Sequence, residues 1–417
     1  MFDAGASHGE LELRAFHRSI SIVAASFALY LSLTGTLIQS IDLYTLASHA
    51  PADDPNLRGI RESINGPPNF EVIADQDYAA AALPAGLDLG RAMSAGMKSA
   101  RAVLGPAPIR FIELRMTDGI PVIQVRSPDE LLAFDAESGS ALPRFSRAHL
   151  NPLPAQTQNV PSTRSTVKGL HRMTAFGDWA LWINVVVALA LAALIVSGLI
   201  MYFRLLAART RLHRPGLLWY AGDWWRTLHR GIAVVAAAFV ILATLSGLML
   251  AIDSLGHSFY MAALKAGGAS KIRFADASSP LSESEVPGLL RTSLGAFRAN
   301  QPPSPIKVIR LRYFGGMPQG VIIVGGEDTR QLVYNAATGR RVGLTEPGYP
   351  ETGQPFGWKE HQLMKQIHRG DWLGLPGRGM DLIAGLSIIF LSVSGIAMYV
   401  SAWNRRRRAG RAAVFWS

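Results

Sequence analysis

The 417-residue chain contains no cysteine. That excludes disulfides, thiolate metal sites and covalent haem attachment of the Cys-x-x-Cys-His type, so a redox cofactor would have to be held by other side chains. Acid is the scarcer charge, with 30 Asp and Glu against 41 Lys and Arg, a formal net charge of +11. The excess does not call for nucleic acid, because its clusters flank apolar runs, where anionic lipid headgroups lie. The sequence also lacks a glycine-rich nucleotide or flavin fingerprint. No nucleic-acid partner is expected, and the lipid bilayer is.

Charge is missing altogether from four stretches. Between Arg18 and Asp42, Asp178 and Arg204, Arg230 and Asp253, and Asp381 and Arg405 lie 22 to 25 uncharged, mostly apolar residues. Each can cross a hydrocarbon core of about 30 Å as a helix. One such stretch can be a buried soluble helix; four of matching length, in a chain that is 49% hydrophobic, read as spans. Arg204, Arg209, Arg211, Arg214 and Arg226 crowd the connection between spans two and three against one acid, Asp223, and Arg405 to Arg408 with Arg411 fill the tail. Segments of this kind stay cytoplasmic. Both termini are therefore expected inside a bacterial inner membrane, with the two long segments outside. No Ala-x-Ala-like site follows the first apolar run, so it is expected to remain as an anchor.

The chain repeats itself. His17 to Gly35 and His229 to Gly247 are both 18 residues, and His171 to Gly198 and His368 to Gly395 are both 27. Each histidine is followed by arginine, and each glycine is preceded by serine or threonine. The long segments repeat too: Ile109 to Arg115 parallels Ile306 to Arg312 at an offset of 197, in strand-like alternation. Asp135 to Gly139 parallels Asn335 to Gly339, in hairpin-turn chemistry where glycine supplies the positive φ. An alanine-rich helical stretch, Leu89 to Leu104, precedes the first strands. The expected fold class is thus membrane α-helical, four transmembrane helices in an internally duplicated arrangement, with two small α+β extracytoplasmic domains. The divisions are 1–42 (N-terminus and span one), 43–165 (first outside domain), 166–204 (span two), 205–225 (basic loop), 226–253 (span three), 254–357 (second outside domain), 358–404 (interfacial segment and span four) and 405–417 (basic tail).

With His-Arg opening each span, Ser/Thr-Gly near its far end, Gly370-Asp371-Trp372-Leu373-Gly374-Leu375-Pro376-Gly377-Arg378 before the last span and Asp/Asn-x-x-Ser/Thr-Gly hairpins, nearly the whole chain resembles the PepSY-associated transmembrane family. Span two departs from it: Gly177-Asp178-Trp179 lacks the Gly-Leu-Pro-Gly continuation. The outside domains would then be PepSY-like. Some members are haem-containing inner-membrane reductases that release iron from ferric siderophores; others are known only as iron-regulated membrane proteins. The resemblance implies the reductase activity as one reading, with a ferric siderophore or other ferric chelate as substrate and electrons from quinol or a cytoplasmic reductase.

Imidazole is the natural axial ligand for a haem that cannot use cysteine. The topology puts His17 and His229 near the cytoplasmic face and His171 and His368 near the outer face. Two b-type haems are expected, one held by each pair. Eighteen helical residues rise about 27 Å, so Gly35 and Gly247 come near the outer pair and Gly198 and Gly395 near the inner one, where small residues admit helices or a flat macrocycle. Arg18, Arg172, Arg230 and Arg369 are candidates for haem propionates; interfacial snorkelling is the plainer role for them. The dipeptide alone says little, since a fifth copy, His213-Arg214, has no span.

His361, on an amphipathic stretch with Trp358, Met364 and His368, is an alternative ligand or substrate contact, although its counterpart at offset 197 is Arg164. His49, His149 and His257 are expected in loops or solvent, and Tyr30, Trp182 and Phe390 are available between the two levels. Two other readings stay open: a non-catalytic membrane scaffold that binds partners, and a haem reductase with another substrate.

Overall fold

The uncharged runs become the four longest helices of the computed structural model, which describes residues 8–51, 54–65, 79–147, 162–214, 216–220, 222–268, 279–301, 303–325, 329–343, 353–411 and 413–414. Four helical segments are long and apolar enough to cross a membrane: Glu12–Ala47, Asp178–Arg211, Ala237–Ala266 and Asp371–Arg408. They are spans one to four below. Span three is preceded by the helix Trp224–Val235, interrupted only at Ala236. Asp223 caps that helix by accepting a hydrogen bond from the Trp225 amide at 3.1 Å, which satisfies one of its free N–H groups.

The chain divides into two units. One comprises Met1–Tyr44, Thr163–Ala263 and Gly353–Ser417; the other comprises Thr45–Ser162 and Leu264–Thr352. The boundaries expected at 43, 165, 254 and 357 thus move by a few residues, most at the end of span three, whose helix continues to Ala266. His257 lies inside that extension rather than in a loop, because the helix runs on past Asp253. His49 follows span one in a left-handed turn, as expected of a loop residue. His149 falls outside the described residues.

In the membrane unit, His171 ends the helix Thr163–His171 and His368 ends the helix Trp358–His368. The chain then turns through a left-handed residue in each case, Met173 (φ 60°) and Gly370 (φ 71°). Gly370 must be glycine, since a side chain there would run into the Gly377 carbonyl. Beyond this point the copies differ, as the missing Gly-Leu-Pro-Gly of span two foreshadows. Two short 3-10 turns, Thr174–Phe176 and Asp178–Ala180, precede the helix starting at Leu181, whereas one turn, Asp371–Leu373, leads into the helix starting at Gly374.

The second unit corrects the expectation of two separate domains. Strands β1 (Phe111–Thr117), β2 (Ile120–Arg126) and β3 (Leu131–Asp135) from the first segment join β4 (Ile306–Phe314), β5 (Met317–Val324) and β6 (Arg330–Asn335) from the second in one antiparallel sheet, ordered β3-β2-β1-β4-β5-β6. A three-stranded sheet on its own exposes an unpaired edge. Here the first strand of each set closes that edge on the other. The helices Leu89–Leu104 and Val286–Asn300 cover the sheet, sharing one core with Met93, Met97, Ile112, Leu114, Leu290, Leu294, Ile309 and Leu311. Both expected hairpins form: Asp135 accepts from the Glu137 and Ser138 amides and Asn335 from those of Ala337 and Thr338, with Gly139 and Gly339 at positive φ.

The β1–β4 register pairs Glu113 with Arg310. These two occupy the same place in the repeat, so the pairing is centred where each copy meets its own counterpart. An unchanged repeat would set like against like. Glu and Arg instead form a buried ion pair, and Arg115 also donates to Glu113 at 3.2 Å. Breaking a buried pair from one side costs about 3–5 kcal/mol. Glu113→Gln takes the carboxylate from two cations, whereas Arg310→Met leaves Glu113 with Arg115. Thermal unfolding in detergent should therefore show the larger loss for Glu113→Gln.

Candidate functional site

The four span-associated histidines are seated in the same way. His17 Nδ1 meets Ser197 Oγ at 2.7 Å and His229 Nδ1 meets Ser394 Oγ at 2.7 Å. His171 Nδ1 meets Thr34 Oγ1 and the Leu31 carbonyl, both at 3.1 Å. His368 Nδ1 meets Ser246 Oγ at 3.1 Å and the Ala243 carbonyl at 3.2 Å. Every acceptor is the Ser/Thr of a Ser/Thr-Gly pair, or a carbonyl one turn before it. The adjoining glycine lets the ring lie against the helix. A Cβ at Gly35 would come within 3.1 Å of His171 Cε1 and one at Gly247 within 3.2 Å of His368 Cε1. At Gly198 and Gly395 the distances to His17 and His229 are 3.5 and 3.9 Å.

This seating constrains the tautomer. Each hydroxyl lies within hydrogen-bond distance of a carbonyl three or four residues back in its own helix: Ser197 to Ala193 at 2.7 Å, Thr34 to Tyr30 at 2.9 Å, Ser246 to Leu242 at 2.7 Å and Ser394 to Leu391 at 3.1 Å. A hydroxyl that donates there can accept from the ring. The Leu31 and Ala243 carbonyls can only accept, so Nδ1 of His171 and of His368 carries a hydrogen. A neutral ring there has its lone pair on Nε2, the nitrogen a metal would take, and the seats of His17 and His229 fit the same tautomer.

The expected partners come together. His171 and His368 have ring centroids 6.3 Å apart and tilted by 31°, and His17 is an electrostatic neighbour of His229. Two imidazoles that reach one metal ion from opposite sides, at about 2 Å each, have centroids roughly 6 Å apart. Two nitrogens do not complete a coordination sphere, and no group of three or more His, Asp or Glu able to hold an ion occurs among the described residues. The donor set fits an ion whose remaining ligands come from a macrocycle.

The arginines after the histidines have partners of their own. Arg369 pairs with Asp371 at 2.6 Å, Arg230 lies 4.4 Å over the Trp219 ring, and Arg172 reaches Ser254 at 3.5 Å. Arg18 is an electrostatic neighbour of Arg14 and Arg406. Of the aromatics, Tyr30 donates to the Leu170 carbonyl beside His171 at 3.1 Å, Trp182 packs on Phe259, and Phe390 stacks on Trp225.

His361 is turned to another task. Its Nδ1 meets the fully buried Asp253 carboxylate at 3.1 Å, and its ring stacks on Trp358. Arg164, its counterpart, contacts the equally buried Asp42 at 2.5 Å. Each copy thus ties the helix before its second span to a carboxylate at the end of its first. In the first copy the network continues through Arg378, which binds Asp42 at 2.7 Å and Asp371 at 2.6 Å, and through Gln39, which donates to Asp381 at 2.6 Å. Sequence reasoning missed this network. Its one signal was an acid ending the first and third apolar runs, Asp42 and Asp253, six or seven residues past the Ser/Thr-Gly pair.

The glycine distances separate two cases. Gly35→Ala and Gly247→Ala press a methyl group on a ring and should lower the unfolding temperature, at an overpacking cost of about 1–3 kcal/mol. Gly198→Ala and Gly395→Ala meet only ordinary contact distances and should be neutral in the same thermal scan.

No curated protein matches the sequence. The family model for the PepSY-associated TM region matches residues 14–402, from just before His17 to just past the last Ser-Gly pair. With four apolar helices, four seated histidines and nearly the whole chain covered, this protein belongs to the PepSY-associated transmembrane family.

Proposed function

We propose that the chain is a b-type haem reductase of the bacterial inner membrane, which passes electrons across the bilayer to a ferric chelate, a ferric siderophore, on the outer side. The observation that carries this reading is the common seating: four imidazoles, each held through Nδ1 by a Ser/Thr hydroxyl of a partner helix, leave Nε2 for a further ligand, and two of the rings stand with centroids 6.3 Å apart. Haem b, when bound, supplies a one-electron iron couple at each level. His17 and His229 would hold one haem toward the cytoplasm, and His171 with His368 the other toward the outside. The donated Nδ1–H bonds fix ring orientation and make the ligand nitrogen more basic. The glycines let each ring approach its neighbouring helix, and Arg18, Arg172, Arg230 and Arg369 keep positive charge beside each pair.

Orientation rests on the arginine-rich loop and tail, which stay on the cytoplasmic side. Electrons then enter from quinol or a cytoplasmic reductase, and leave toward the ferric substrate. Ferrous iron binds hard oxygen ligands less tightly than ferric iron, so reduction releases it.

Purified protein from haem-replete cells should show a low-spin b-type spectrum that shifts on dithionite reduction. Ala at His17 or His229 should remove one haem equivalent, and Ala at His171 or His368 the other. A colourless, folded protein would instead favour a scaffold that binds partners without redox chemistry. Four variants that all keep two haems would overturn the pairing.

A further inference from the structure

The histidines share more than the arginine that follows them. Three residues before each stands a base: Arg14 before His17, Lys168 before His171, Arg226 before His229 and Lys365 before His368. The pattern basic-x-x-His-Arg therefore occurs four times. In every case the base and the histidine belong to one helix: His8–Ala47, Thr163–His171, Trp224–Val235 and Trp358–His368. Helical residues three apart share a face, with Cβ atoms about 5–6 Å apart. The following arginine is rotated about 100° away from the histidine, and three of the four are engaged with Asp371, Trp219 or Ser254.

We propose that Arg14, Lys168, Arg226 and Lys365 receive the carboxylates of the tetrapyrrole held by the histidines, two cations for the two propionates at each level. The inference rests on the haem reading above. Membrane topology accounts for Arg14 and Arg226, which lie on the side where positive charge is favoured. It does not account for Lys168 and Lys365, which that same bias disfavours on the outer side. A function common to both levels explains all four, whereas a substrate site would need bases at the outer level alone.

The surroundings of Lys365 point the same way. Its ammonium donates to Gln362 at 3.1 Å and lies in the field of Arg369, Lys168, Arg172 and Arg164. Burial first, and then these cations, push it down to about 7. Asp42 and Asp371 face the same cluster but are bound by Arg164, Arg378 and Arg369. A carboxylate arriving beside Lys365 and Lys168 would relieve the repulsion and keep both protonated.

The test is a cycle between protein and cofactor. The full-length apoprotein, as wild type, as Lys168→Met/Lys365→Met and as Arg14→Met/Arg226→Met, is reconstituted with haem b or with its dimethyl ester, which has no propionate charge. Release to an excess of apomyoglobin is timed by absorbance. The wild type should release the ester about tenfold faster than haem, the size of one charged hydrogen bond. Each double variant should release one of its two haem equivalents, that of its own level, at the ester's rate without releasing the ester any faster, and Lys168→Arg/Lys365→Arg should behave as the wild type. Variants that speed the release of both cofactors equally, or of neither, overturn the assignment while leaving the haem reading intact. A wild-type chain that takes up neither cofactor overturns the haem reading, and this inference with it.

Discussion

Each histidine is held through Nδ1 by the hydroxyl of a Ser/Thr-Gly pair on another helix, and that one contact constrains where the ring can lie. Four repetitions of that constraint organise the membrane unit. They place His17 on span two, His171 on span one, His229 on span four and His368 on span three, so each span receives one ring. The same contacts engage Nδ1 and leave Nε2 for another ligand. A low-dielectric interior favours the uncharged form of such a ring. Ring position and helix contact follow from one dipeptide, Ser/Thr-Gly, used four times.

Around the His171–His368 pair the constraint is reinforced by buried carboxylates. Asp42 holds Arg164 and Asp253 holds His361, each from the helix that ends in His171 or His368. Removing a charge from such a pair leaves its partner stranded, so these bonds stiffen the approach of each histidine-bearing helix. The copies are not equal here. Arginine keeps its charge at any physiological pH, and histidine does not. The first copy also recruits Arg378 from span four, while in the second His361 is backed by Trp358 and by the Phe356 amide on Asp253.

The sheet unit shows the same repeat resolved by a different force. Its two halves meet at β1 and β4, where Glu113 faces its own counterpart, Arg310. A two-fold arrangement brings equivalent positions together at its centre, and only a difference in charge at that position turns repulsion into attraction. One shared core under two helices then replaces the two cores of separate domains.

Much of this was legible in the sequence. The spans follow from runs without charge, the helices Leu89–Leu104 and Trp358–His368 and the Asp135 and Asn335 hairpins from local pattern, and the equivalent place of each histidine in its repeat from spacing. These features depend on residues near one another in the chain, or on a fixed rise per residue, so sequence alone determined them. Three things were decided only by the tertiary structure: the joining of two expected domains into one sheet, the seating of each histidine ring on a distant helix, and the carboxylate network from Asp42 to Arg369. Each depends on which distant group lies within about 3 Å of another, and spacing along the chain does not carry that distance.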